Sequence, residues 1–117
     1  MPGFTVTRGL GGTVSSLIVR GFVEQIEDEL LKRGRSYKKD YIRRYDDETK
    51  RYYEEYNIYV ELSAINGKDL FDPIINKVKY RVKDHDINIV VNPKKLTIKS
   101  PDIKINVKMV EKNNVKN

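Results

Sequence analysis

The residue types that carry most enzyme chemistry are scarce in this chain and badly spaced for it. There is no cysteine, which excludes thiolate nucleophiles, thiolate metal sites and disulfides together. The one histidine, His85, sits in Asp84-His85-Asp86 with neither a second histidine nor an ordered ligand loop to complete a metal site. No serine stands in a nucleophile elbow for His85 to activate. Glu24, Glu27, Asp28 and Glu29 are spaced as the solvent face of a helix rather than as a facing acid and base. Arg8-Gly9-Leu10-Gly11-Gly12 is glycine-rich, but Val14 stands where a dinucleotide fingerprint needs glycine, and the Lys-Ser or Lys-Thr of a P-loop is missing. The expectation is a protein that is not an enzyme, with no catalytic residue, metal, cofactor or small-molecule substrate.

Binding chemistry is better represented. Lys32, Arg33, Arg35, Lys38, Lys39, Arg43 and Arg44 form a basic run with Tyr37, Tyr41 and Tyr45 between them. Cations that neutralise phosphates beside rings that stack on bases are how single-stranded nucleic acid is held without sequence readout. Two features oppose that reading. Asp46, Asp47, Glu48, Glu54 and Glu55 cancel much of the field, and tyrosines at 37, 41, 45, 52 and 56 have the spacing of a packed helical stripe. Further on, lysines alternate with apolar residues, and Lys79, Arg81, Lys99 and Lys104 make a patch only if the strands align them; otherwise they keep a sheet soluble.

The elements that would position these residues fit one domain. A length of 117 residues supports a single core, and a charged fraction of 34% against a hydrophobic fraction of 38% implies a thin core or a surface covered by neighbours. The net charge of +6 favours an acidic partner without choosing among nucleic acid, protein and lipid. The longest apolar cluster near the start, Leu17-Ile18-Val19, is too short for a signal core or a bilayer span, which predicts an intracellular protein with no membrane partner.

Residues 1–21 read as an extended arm, rich in glycine, threonine and serine, in which Val6-Thr7-Arg8-Gly9-Leu10 is echoed by Ile18-Val19-Arg20-Gly21-Phe22. A single α+β domain follows over 22–110. Phe22, Val23, Ile26, Leu30 and Leu31 predict an amphipathic helix that ends near Arg33, with Gly34 as its C-cap. The tyrosine segment 35–56 predicts a second helix; its competitor is a strand pair turning at Asp46-Asp47-Glu48. From Ile58 the period is two, which predicts an antiparallel meander through 58–64, 78–82, 87–91, 96–98 and 103–109. Its turns fall at Asn66-Gly67, Asp84-His85-Asp86, Asn92-Pro93 and Ser100-Pro101-Asp102, with a loop through Asp72-Pro73. The tail 111–117 is polar.

The N-terminal echo resembles a group of small proteins encoded among the head and tail genes of tailed phages and prophages, which begin with a pattern like Thr7-Arg8-Gly9-Leu10-Gly11 and a second like Ile18-Val19-Arg20-Gly21-Phe22. Val23 departs from the second glycine usual there. The resemblance implies a virion part, made in the host cytoplasm, and no catalytic residues. The expected function is structural or assembly work at a head-to-tail connection, tail or capsid surface. The chain would form a homo-oligomer or bind other virion proteins, with Phe4, Val6, Arg8, Leu10, Ile18, Arg20 and Phe22 of the arm docking on a neighbour. The alternatives are a nucleic-acid-binding accessory protein using the run from Lys32 to Arg44, and a small regulator that binds a host protein.

Overall fold

The computed structural model describes residues 14–61, 67–82 and 85–110. Two helices and five strands follow in the order α1 (Val14–Lys32), β1 (Tyr37–Asp46), β2 (Arg51–Glu61), α2 (Gly67–Val82), β3 (Asn88–Asn92), β4 (Lys95–Lys99) and β5 (Ile103–Val110). The fold is α+β, as the periodicities indicate. The strands form one sheet in the order β1-β2-β5-β4-β3. β1–β2 and β3–β4–β5 are antiparallel units, and β2 joins β5 in parallel, so the expected all-antiparallel meander holds only for the last three strands.

α1 places Val19, Phe22, Val23, Ile26 and Leu30 on its core stripe, while Leu31, expected there too, is exposed because it lies one position past Leu30 and turns off that face. It stops as expected. Gly34 takes φ +66°, Arg35 N–H donates to the Leu30 carbonyl at 2.9 Å, and Gly34 N–H donates to that of Leu31 at 3.0 Å, a Schellman cap that only glycine fills without strain. Its start differs from expectation. The helix begins at Val14, not Phe22, so the part of the arm at 14–21 is helical; the rest of the arm, with Phe4, Val6, Arg8 and Leu10, lies outside the described residues. Ser15 and Ser16 look like loop residues in sequence but are buried, because Ser15 Oγ accepts the Asp86 N–H at 3.0 Å and Ser16 Oγ lies 3.5 Å from both Ser100 Oγ and an Asp102 carboxylate oxygen.

The tyrosine segment is a hairpin rather than a helix. A spacing of four returns a side chain to the same face in both periods, 3.6 and 2, so Tyr37, Tyr41 and Tyr45 fit either. The pairing of Tyr41 with Tyr56 and of Tyr45 with Tyr52 settles it, symmetric about a point between Glu48 and Thr49. The turn leaves Lys50 at φ +58° and closes with its N–H on the Asp46 carbonyl at 2.8 Å.

The segment expected as a strand at 78–82 is the end of α2. Leu70, Phe71, Ile74 and Val78 form its buried stripe, while Tyr80, grouped with Val78 and Val82 by a period of two, points outward. Gly67 opens this helix and makes no hairpin turn, and Pro73 lies within it, giving up one backbone hydrogen bond for a buried stripe. Residues 62–66 and Asp84 lie outside the described set, as does the 111–117 tail. The turns at Asn92-Pro93 and Ser100-Pro101-Asp102 stand where expected, between β3 and β4 and between β4 and β5.

Both helices cover one face of the sheet. Ile58, Val60, Leu96, Ile98, Ile103, Ile105 and Val107 meet them there and complete the core. Two glycines of α1 make a paired test. Gly34→Ala forces a side chain into the left-handed region and should lower stability by roughly 1–2 kcal/mol. A Cβ at Gly21 meets no described atom within 4 Å, so Gly21→Ala should raise stability by about 1 kcal/mol in thermal denaturation.

Candidate functional site

The face of the sheet turned away from the helices carries a polar row that crosses four strands. Thr97 Oγ1 donates to Asn106 Oδ1 at 3.0 Å, and Asn106 Nδ2 donates to Asn57 Oδ1 at 2.9 Å. Asn57 Nδ2 in turn donates to Asp40 Oδ1 at 3.0 Å and Glu55 Oε2 at 3.1 Å. Thr97, Asn106, Asn57 and Asp40 are register partners across β4, β5, β2 and β1, so the row runs at right angles to the strands. Asn57 and Asn106 are buried although no helix covers them. Long side chains do that work: Lys95, Lys108, Tyr59 and Lys38 flank the row on one side, and Lys99, Lys104, Glu55 and Ile42 on the other, with Arg44 beyond Ile42 reaching back to Glu55. Their stems cover the amides and their charged heads stay in water. Lys108 Nζ stands 5.5 Å from the centre of the Tyr59 ring.

The electrostatics of this face are uneven. Burial pushes the Glu55 carboxyl up, but the hydrogen bonds from Asn57 and Arg44 and the charges of Arg44 and Lys104 outweigh it and hold the group below the ordinary carboxylate value. Arg44 Nε lies 2.9 Å from Glu55 Oε1. The β1–β2 half therefore mixes acids with bases. The β3–β5 half has Lys95, Lys99, Lys104 and Lys108 facing outward beside Asn88, Val90 and Asn92, with no carboxylate on that face. Lys99 and Lys104 are aligned as the sequence reading required for a patch, whereas Lys79 and Arg81 lie on α2, on the other side of the sheet.

The basic run from Lys32 to Arg44 does not make one surface. Lys32 and Arg33 end α1, with Arg33 Nε on Glu29 at 2.8 Å. Lys38 and Arg44 face the open side, while Lys39 and Arg43 face the helix side, where Lys39 reaches Glu27 at 3.1 Å and Arg43 lies 4.7 Å from the centre of the Tyr52 ring. Arg35 sits half-buried between α1 and β1. Glu27 and Glu29, read from sequence as solvent-facing, hold structure together instead: Glu27 accepts the Tyr37 hydroxyl at 3.1 Å, and Glu29 is buried beside Arg33 and Lys77. The Arg33 hydrogen bond, with the charges of Arg33, Lys77 and Lys32, outweighs burial and holds the Glu29 carboxyl below its ordinary value.

A second surface was not foreseen. β5 pairs with β2 only from Glu54 onward, so the far end of the β1–β2 hairpin extends beyond the third strand. There the Tyr45–Tyr52 rings pair at 5.0 Å between centres and are 48% and 57% exposed; the Tyr41–Tyr56 rings pair at the same distance where Tyr56 already lies beside Ile105 of β5, and Tyr41 is 51% exposed. The hairpin's inner half is tied to α1 by polar contacts, Arg20 to Glu54 at 2.7 Å and Tyr37 to Glu27. Of the arm residues expected to dock on a partner, Phe22 is in the core, Arg20 makes this ion pair, and Ile18 is half-buried against the core.

Among the described residues, no three His, Asp or Glu side chains come together to hold a metal ion, and no helix is long and apolar enough to cross a membrane. His85 and Asp86 form a turn in which the Asp86 N–H is taken by Ser15. No protein-family model matches the chain, and no curated protein or solved structure is significantly similar to it.

Two outcomes follow. Asn106→Ala strands the Asn57 carbonyl and the Thr97 hydroxyl under the lysine stems and should cost roughly 1–3 kcal/mol in chemical denaturation. Glu29 and Glu55 bind protons more weakly folded than unfolded, so the stability they contribute is present above the ordinary glutamate value of about 4.3 and is lost as pH falls through the lower folded values. Melting temperature should therefore fall on acidification below about pH 4.3, and Glu55→Gln should make that fall shallower.

Proposed function

We propose that the protein is a non-enzymatic structural or assembly component of a phage-like particle, and that its copies join through the β1–β2 hairpin. The observation that carries this reading is the overhang: two exposed, paired tyrosines, Tyr45 and Tyr52, on the end of a hairpin that extends beyond the third strand. Tyrosine pairs present a large apolar body with a polar tip, the composition that interfaces favour.

The helix layer offers a counterpart. Val14 and Leu17 are exposed and, with Ile18, Gly21 and Arg81, line a groove of about 270 Å³. Gly21 costs α1 about 1 kcal/mol relative to alanine, and no described neighbour requires it. A glycine on the floor of an exposed groove permits close approach from outside. Asp47 and Glu48 at the hairpin turn complement Arg81 in the groove. Hairpin and groove are different surfaces of one chain, so their contact is head-to-tail and produces a ring where the rotation closes and a stack where it does not. The resemblance of Thr7–Gly11 and Ile18–Phe22 to tailed-phage head and tail proteins supports the particle as the setting, with the head-to-tail connection, tail or capsid surface as the place.

Light scattering on the purified chain should give a mass several-fold above 13.7 kDa. Gly21→Arg fills the groove and improves helix propensity, so it should return the protein to monomer without lowering its melting temperature. Tyr45→Ala with Tyr52→Ala should do the same from the other side of the contact. A wild-type monomer at every concentration, or variants that assemble unchanged, would defeat the proposal.

A further inference from the structure

We propose that the open sheet face of β4 and β5 binds the phosphate backbone of double-stranded DNA through Lys95, Lys99, Lys104 and Lys108. None of these lysines belongs to the hairpin or the groove, so the DNA contact stands whether or not the chain self-associates.

Charge is the first ground. On this half of the face four ammonium groups stand in two cross-strand pairs, Lys95 with Lys108 and Lys99 with Lys104. None of the four forms an ion pair with a carboxylate of the described residues, whereas Arg20, Arg33, Lys39, Arg44 and Arg51 each do. Carboxylates lie at the edge of the patch: Glu55 is the register partner of Lys104, and Asp46, Asp47 and Glu48 line a cavity with Lys99 and Lys104.

Geometry is the second. Within each strand the two lysines are four residues apart, about 13 Å at strand rise, and the row between them is Thr97 and Asn106. Those two groups spend their side-chain hydrogen bonds on each other and on Asn57, which leaves no free base-reading amide at the centre of the patch. Two rows of cations about 13 Å apart are close to the roughly 12 Å width of the major groove of B-DNA and can meet phosphates on both of its sides.

The third ground separates duplex from single strand. Single-strand binding needs rings on which bases stack. The ring beside Lys108, Tyr59, has that ammonium over it and its hydroxyl on Asp40 at 3.4 Å, while Tyr45, Tyr52 and Tyr53, which line a cavity with Lys99 and Lys104, share it with Asp46, Asp47 and Glu48. The patch can neutralise phosphates, and the rings near it that are open stand beside carboxylates that repel a single strand's phosphates. The expected binding is independent of sequence and strongly salt-dependent.

Fluorescence anisotropy of a short labelled duplex tests this on the full chain. Four phosphate contacts predict roughly a hundredfold loss of affinity between about 50 and about 200 mM salt. Lys99→Glu with Lys104→Glu should weaken binding at least tenfold and about halve the salt slope. The charge-matched control, Lys32→Glu with Lys79→Glu, lies off the face and should change affinity far less; circular dichroism confirms that each variant is folded. Equal weakening by the two double variants would reduce the effect to net charge and overturn the proposal. So would the absence of saturable binding at low salt, tighter binding of a single strand of the same length, or preference for polyglutamate over the duplex.

Discussion

The register of β2 on β5 is the constraint on which the rest of the structure depends. It is a parallel pairing between a strand of the hairpin and a strand of the meander, the two units that the sequence builds locally. Ile58 opposite Val107 and Val60 opposite Met109 place apolar residues under the helices. The same register sets Asn57 opposite Asn106 on the other face and begins pairing at Glu54, which leaves Arg51, Tyr52 and Tyr53 without a third strand. A slip of one residue would turn the asparagines into the core and the isoleucines into water. Core, polar row and overhang are thus one decision.

The two faces are stabilised differently. On the helix side, burial of side chains such as Phe22, Ile26, Phe71, Leu96 and Ile105 supplies the stability, at about 1.5–3 kcal/mol for each large side chain fully removed from water. On the open side no layer excludes water, so the amides are satisfied by one another and shielded by lysine stems. The hairpin gains little from α1, since half-exposed ion pairs such as Arg20 with Glu54 contribute at most about 1 kcal/mol each. It is held chiefly by its own ladder and by β5, and its far end has neither helix nor third strand beside it. That is where Tyr45 and Tyr52 are.

What the sequence made legible was local, and what it hid was long-range. The stripe of α1, its stop at Gly34, the short strands β3 to β5 and the proline-marked turns follow from periodicity and turn chemistry. The start of α1 did not, because Ser15 and Ser16 are buried against Asp86, Ser100 and Asp102, more than seventy positions away in sequence. The spacing of four that suits both helix and strand misled twice, as a helical stripe in Tyr37, Tyr41 and Tyr45, and as a strand in Val78 and Val82. The mirror symmetry of the tyrosines about Glu48 and Thr49 was a readable signal for the hairpin. Parallel pairing leaves no such mark, and Asn57, on the polar side of the β2 alternation, gave no hint of its partner. The lysines could be seen to alternate, but their alignment across strands depends on register, which one sequence does not display.

The two proposed surfaces are compatible in a way that bears on their strength. The hairpin extends the sheet in its own plane, whereas the lysines project at right angles to it. Copies joined hairpin to groove by a repeated rotation therefore keep their lysine faces in equivalent positions. Four cations on a flat sheet form a weak site by themselves, since each phosphate contact is readily reversed by salt. Copies linked in a ring or stack hold many such sites at high effective concentration, so that a second face engages far more readily than a first. A weak basic face on an assembling subunit binds a long polyanion firmly only when the assembly has formed, which couples the occupancy of one surface to the completion of the other.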